Sequence, residues 1–192
     1  MILPIIIIVG LVLYAVGVYN FLATAKTRIG ASIQEIGNQL KRQSELIPNL
    51  EDSAKGYLKH ETNIIKLLAD ARKSVDSAIA SGDLNKMATA GEKVAGLLPK
   101  IQVVMESNPQ IKGAEVITRL MDELRDTSDK VMYARRTLID LTADYNVRLV
   151  TFPSNIVANL LNFKSEKGLE TASSGEHLTV SGSDMKTPRV SI

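Results

Sequence analysis

The sequence predicts an all-α protein: an N-terminal transmembrane helix that continues into an up-and-down antiparallel four-helix bundle. Three observations predict it. Residues 2–25 carry no charged side chain and are dominated by Ile, Leu and Val. Beyond them, apolar residues recur at three- and four-residue steps almost to residue 150, the period that keeps one helical face apolar. Turn signals punctuate the pattern, Ser81-Gly82-Asp83 and Asn108-Pro109 among them. The expected division is an anchor over 1–25, a helical bundle over 26–163 and a flexible tail over 164–192.

The anchor comes first. As a helix, residues 2–25 span roughly 36 Å, enough for a hydrocarbon core of about 30 Å. Tyr14, Tyr19 and Phe21 suit the exit interface, where amphipathic rings are favoured. A cleaved signal peptide is the rival reading, with Ala15-Val16-Gly17 as a tolerable cleavage site, but the basic n-region is missing. Lys26, Arg28, Lys41 and Arg42 follow the span and no side-chain charge precedes it, which by the positive-inside rule puts the bundle in the cytoplasm.

The first helix is expected to run on from the anchor along Ile29, Ile33, Ile36 and Leu40, and to end near Glu45. Pro48 lacks a donor and disfavours helical geometry at Ile47. A second helix would then start at Pro48 and bury Leu50, Ala54, Tyr57, Ile64, Leu68, Ala71, Val75 and Ile79. Gly82 tolerates left-handed geometry at the next turn, and Asp83 is placed as an N-cap. The third helix keeps its period through Leu84, Met87, Val94, Leu97 and Ile101, but Gly91, Gly96 and Pro99 predict a kink or break near Pro99. The fourth has the strongest pattern, Ile117, Leu120, Leu124, Val131, Leu138, Leu141, Tyr145 and Leu149, coiled-coil-like over about 36 residues. Short turns make neighbours antiparallel, so the fourth helix returns to the level where the first leaves the membrane. The short apolar segment that follows, with Ile156, Val157, Leu160, Leu161 and Phe163, either lies in the headgroup plane or caps the bundle base.

Composition excludes several functions. The net charge of +2 supplies no field to attract nucleic acid. Five Tyr, three Phe and no Trp leave few stacking platforms for single strands. Absence of cysteine removes disulfides, thiolate chemistry, Cys-based zinc sites and lipidation on Cys.

Gln39-Leu40-Lys41-Arg42-Gln43-Ser44-Glu45-Leu46-Ile47-Pro48-Asn49-Leu50, followed by Lys55-Gly56-Tyr57 and His60-Glu61, resembles the signature of the LemA family of bacterial membrane-associated proteins. Tyr19-Asn20 after the anchor is a second match. A third runs from Asn108-Pro109 through Glu123-Leu124 and Ala134-Arg135 to Asp144-Tyr145-Asn146 and Phe152-Pro153-Ser154. Pro188-Arg189-Val190 is similar to the family's terminus. Leu138-Ile139 replaces a second Tyr-Asn pair, and Gly17-Val18 stands where some relatives carry a lipoprotein cysteine. Those lipoprotein relatives keep a periplasmic or extracellular placement open. The resemblance implies an up-and-down helical bundle and no established catalysis.

The chemistry-bearing residues are sparse. His60-Glu61 falls short of the metalloprotease helix, which needs a second His four residues after the first, where Ile64 stands. His177 is the one other His, so a zinc site lacks nitrogen ligands. No catalytic residue, metal or cofactor is expected. Asn20, Arg28, Tyr145 and Asn146 are candidates for a polar clasp at the bundle base, since buried Asn can fix helix register, and Tyr19 beside Asn20 is a further structural candidate. Lys41, Arg42, Pro48, Asn49, Tyr57, His60 and Glu61 are candidate contacts for a partner or a second copy. Val190 and Ile192, after Pro188, are placed to add as a strand to a partner. The expected function is a membrane-anchored scaffold or adaptor that acts through self-assembly or partner-protein binding, without catalysis; its expected partners are the lipid bilayer, further copies of itself and another membrane protein, with no nucleic acid. A hydrolase-type enzyme and a membrane sensor are the alternatives.

Overall fold

Helix α1 runs from Ile2 to Ala54, 53 residues and about 80 Å at 1.5 Å per residue. The computed structural model describes residues 2–55, 62–107 and 115–169. In them the regular structure is all helical: α1, then α2 (Thr62–Ser81), α3 (Leu84–Ser107), α4 (Glu115–Val150) and α5 (Ser154–Leu160). The stretch of α1 before Val18 is almost wholly exposed. It is apolar and long enough to cross a membrane, with a mean hydropathy of 2.6 over its best window. From Val18 onward a buried stripe begins: Leu22, Ala25, Ile29, Ile36, Leu40, Ile47, Leu50 and Ala54.

That stripe corrects the expected end of the first helix. α1 does not stop near Glu45 but continues through Pro48, so Leu50 and Ala54 belong to it rather than to a second helix. A proline inside a helix costs about 3 kcal/mol. Leu46, Ile47 and Leu50 are all buried around it, each contributing roughly 1.5–3 kcal/mol, so packing outweighs the lost donor. The Asn49 amide also donates to the Glu45 carbonyl at 3.1 Å. The same balance carries α3 across Pro99 without the predicted break. Pro99 faces solvent while Leu97, Leu98 and Ile101 are buried.

Cross-helix contacts set the directions. Arg42 meets Glu123, Gln43 meets Ser128 and Lys26 lies near Tyr145, so α1 and α4 are antiparallel. Arg135 pairs with Glu92 at 2.7 Å and Arg125 with Gln102 at 2.6 Å, which makes α3 and α4 antiparallel. Ser44 hydrogen-bonds Asp76, placing α2 antiparallel to α1. Gly82 turns the chain at φ 63°, and the Asp83 carboxylate accepts the Lys86 N–H at 2.9 Å, as the turn signal predicts. Met87 then sits over Gly37, where an added Cβ would lie 3.3 Å from its Cε.

The α2–α3 turn therefore lies beside the middle of α1. The long helices pack together around the C-terminal half of α1, while the part of α1 just after its apolar stretch packs on α4, α5 and residues 163–169. The molecule is a four-helix head on an α1–α4 stalk. Gly91 sits at the neck. A Cβ there would come 2.8 Å from Val131 Cγ1 and 3.7 Å from Leu40 Cδ2, so the glycine lets three helices approach closely.

Candidate functional site

The most organised polar site lies at the base of the stalk. Tyr145 is on the buried stripe of α4 and has no exposed surface. Its hydroxyl donates to the Lys164 carbonyl at 2.9 Å. One residue on, the Asn146 amide donates to the Glu166 carbonyl at 2.9 Å, and its Oδ1 accepts the Glu166 N–H at 3.0 Å. Asn146 thus pairs with the Glu166 backbone as a neighbouring strand would. The Glu166 carboxylate reaches across to Lys26 at 2.9 Å. Through that hydrogen bond and its charge it raises Lys26 above the ordinary lysine range. Burial raises the Tyr145 phenol, against the opposing effect of the Lys26 charge.

The chain reaches this latch through α5. Ser154 donates to the carbonyls of Arg148 and Thr151, holding α5 against the end of α4. Asn162 closes α5 in the left-handed region, φ 57°, and the Phe163 N–H returns to the Ala158 carbonyl at 3.0 Å, a helix-ending arrangement that Asn tolerates. Phe163 meets Tyr19 edge-on with centroids 5.9 Å apart, and Arg148 stacks over Phe21 at 4.7 Å. Gly168 lies against Thr142 and Leu169 packs on the core. Residues 164–169, in the segment expected as tail, lie along the stalk.

Of the four residues expected as a clasp, Tyr145 and Asn146 lie together at the base, and their hydrogen-bond partners are backbone groups of Lys164 and Glu166. Among the described residues no hydrogen bond joins Asn20 or Arg28 to either. Asn20 is exposed, and Arg28 lines a shallow groove with Glu35 and Tyr133. Tyr19 joins the base through its edge-on contact with Phe163. Among the residues expected as partner contacts, Lys41 is exposed, Arg42 is held by Glu123 at 3.3 Å, Pro48 is half-buried and Asn49 bonds its own helix. Tyr57, His60, Glu61, Pro188, Val190 and Ile192 lie outside the described residues.

Two features were missed in the sequence. Gln43 is fully buried between α1 and α4 and donates to Ser128 Oγ at 3.1 Å, while its Oε1 has no partner. Its signal was phase: it follows Leu40 by three and precedes Ile47 by four, on the apolar stripe. Ser128 in turn donates to the Leu124 carbonyl at 2.9 Å. The second feature is an exposed apolar stripe on α4. Met132, Ile139, Ala143, Val147 and Val150 follow at steps of seven, four, four and three, away from the core, and Val150 is 76% exposed.

Among the described residues no group of three or more His, Asp and Glu side chains is placed to hold a metal ion. A family model described as the LemA family matches residues 32–181, most of the chain, beginning past the apolar stretch. No curated protein matches it.

Proposed function

Because the chain belongs to the LemA family, we propose that it is a membrane-anchored helical scaffold that acts by lateral association with further copies of itself, without catalysis. The observation that carries this reading is the exposed stripe of α4. A helix that turns Met132, Ile139, Val147 and Val150 outward has a second seam at coiled-coil spacing. On a soluble monomer an exposed apolar row of this kind, crossed here by Arg136, is a candidate interaction site. Anchored copies share one orientation, so their stalks stand side by side with these seams at the same height. Confinement to a surface raises their effective concentration and amplifies weak contacts. The basic residues after the span, Lys26, Arg28, Lys41 and Arg42, support a cytoplasmic head under the positive-inside rule.

Absence of native cysteine makes the test direct. The full chain carrying Ile139→Cys is reconstituted into vesicles and oxidised, with Ser107→Cys at the far end of α3 as control. Cross-linked species at Ile139 and none at Ser107 are expected, and Ile139→Asp should shift the detergent-extracted protein toward monomer. A monomer at every protein density, with no cross-link at Ile139, refutes the reading.

A further inference from the structure

The base of the stalk joins two segments that are far apart in sequence and share one property. Residues 2–25 carry no charge, and neither do residues 149–163, in a chain that is 23% charged. The fold packs the second against the end of the first: Phe163 against Tyr19, and Arg148, the residue before the second segment, over Phe21. The apolar surface of the anchor therefore does not end where the bundle begins. It broadens onto Val150, Phe152, Ile156, Leu160 and Leu161, which are 76%, 76%, 59%, 82% and 46% exposed.

The borders of this region are equally consistent. Lys26 ends the charge-free stretch of α1, and Arg148 and Lys164 flank the charge-free stretch around α5. All three are cations. Arg148 and Lys164 are exposed, and Lys26 is bridged to Glu166. An apolar surface with a collar of basic side chains is what an interfacial bilayer contact presents: the apolar groups enter the acyl boundary and the cations meet lipid phosphates. Tyr19 and Phe21 lie at the same level, where aromatic rings favour the interface.

Resting on the anchored reading above, we propose that the base of the bundle is itself seated in the bilayer. Residues 149–163 form a second, monotopic membrane contact beside the transmembrane helix, with Arg148 and Lys164 at the phosphate level. Burial to this depth begins the water-facing part of α1 at Lys26 and stops the stalk pivoting on a single helix.

Spin labels on single cysteines at Phe152, Leu160 and, as a control, Ser107 test this in the full chain reconstituted into vesicles containing an anionic phospholipid. Membrane association is read separately by flotation. The proposal expects flotation, together with an oxygen-to-nickel-chelate accessibility ratio several-fold higher at Leu160 and Phe152 than at Ser107. Flotation with labels at Leu160 and Phe152 as open to the nickel chelate as Ser107 overturns this proposal and leaves the anchored reading standing. Labels shielded from both reagents also overturn it, because protein rather than lipid then covers the base. Failure to float overturns the anchored reading and this one with it.

Discussion

Replacing Asn146 with Leu removes the latch that holds residues 163–169 on the stalk. The side chain makes two hydrogen bonds to the Glu166 backbone, 2.9 and 3.0 Å, both half-buried. Each such bond contributes about 0.5–1.5 kcal/mol, and a buried group left unmade costs about 1–3 kcal/mol. Partial exposure lets water recover some of the loss, which sets the expected destabilisation near 2 kcal/mol. The adjacent Lys26–Glu166 pair cannot compensate, since Lys26 is exposed and water screens such a pair. Hydrogen exchange by mass spectrometry reads the effect in the micelle-bound full chain. A loss near 2 kcal/mol should speed exchange of residues 163–169 by about 30-fold where local opening governs it, with α2 and α3 unchanged. Tyr145→Phe, which removes one bond to Lys164, should cost about 1 kcal/mol, and the double variant less than the sum, because both hold one segment. Unchanged exchange over 163–169 in Asn146→Leu, together with an unchanged melt, would refute the latch.

Gly91→Ala should destabilise by about 1–3 kcal/mol through overpacking against Val131, and Val131→Ala in the same chain should restore part of that loss; thermal unfolding followed by circular dichroism reads both. Gln43→Leu removes a buried oxygen without a partner while Ser128 keeps its bond to Leu124, so stability should hold or rise by up to about 1 kcal/mol. A loss above about 2 kcal/mol would show that the Gln43–Ser128 bond matters more than the orphaned oxygen costs. The latch should also weaken in alkali. Lys26 and Tyr145 both have raised values in the fold, so the folded state holds their protons more tightly than the unfolded chain. Their contribution is complete below the ordinary values of 10.0 for tyrosine and 10.5 for lysine and is lost as pH rises through the higher folded values. Melting temperature against pH should fall more steeply there than in the variant Lys26→Met/Tyr145→Phe.

Much of the helical layout was legible because it is local. The three- and four-residue steps of α4, the charge-free run of α1, and Gly82 with Asp83 each act through neighbours a few positions away. The candidate site was legible only in part. Tyr145 and Asn146 stood out, but their partners are backbone atoms of a segment of low hydrophobicity, and backbone carbonyls carry no sequence signal. Asn20 and Arg28 shared a level with them and not a face.

The sequence by itself determined the long apolar N-terminal stretch, the helical period and the glycine turn between α2 and α3, since chain length, side-chain charge and backbone freedom decide these within one element. Only the tertiary structure decided that α1 passes through Pro48, that α3 passes through Pro99, that Gly91 is a point of close approach, and that residues 164–169 return to the stalk. Each of those depends on a sum of burial between helices. A proline penalty of about 3 kcal/mol is read from one residue, whereas the packing that exceeds it comes from side chains brought together by the whole fold.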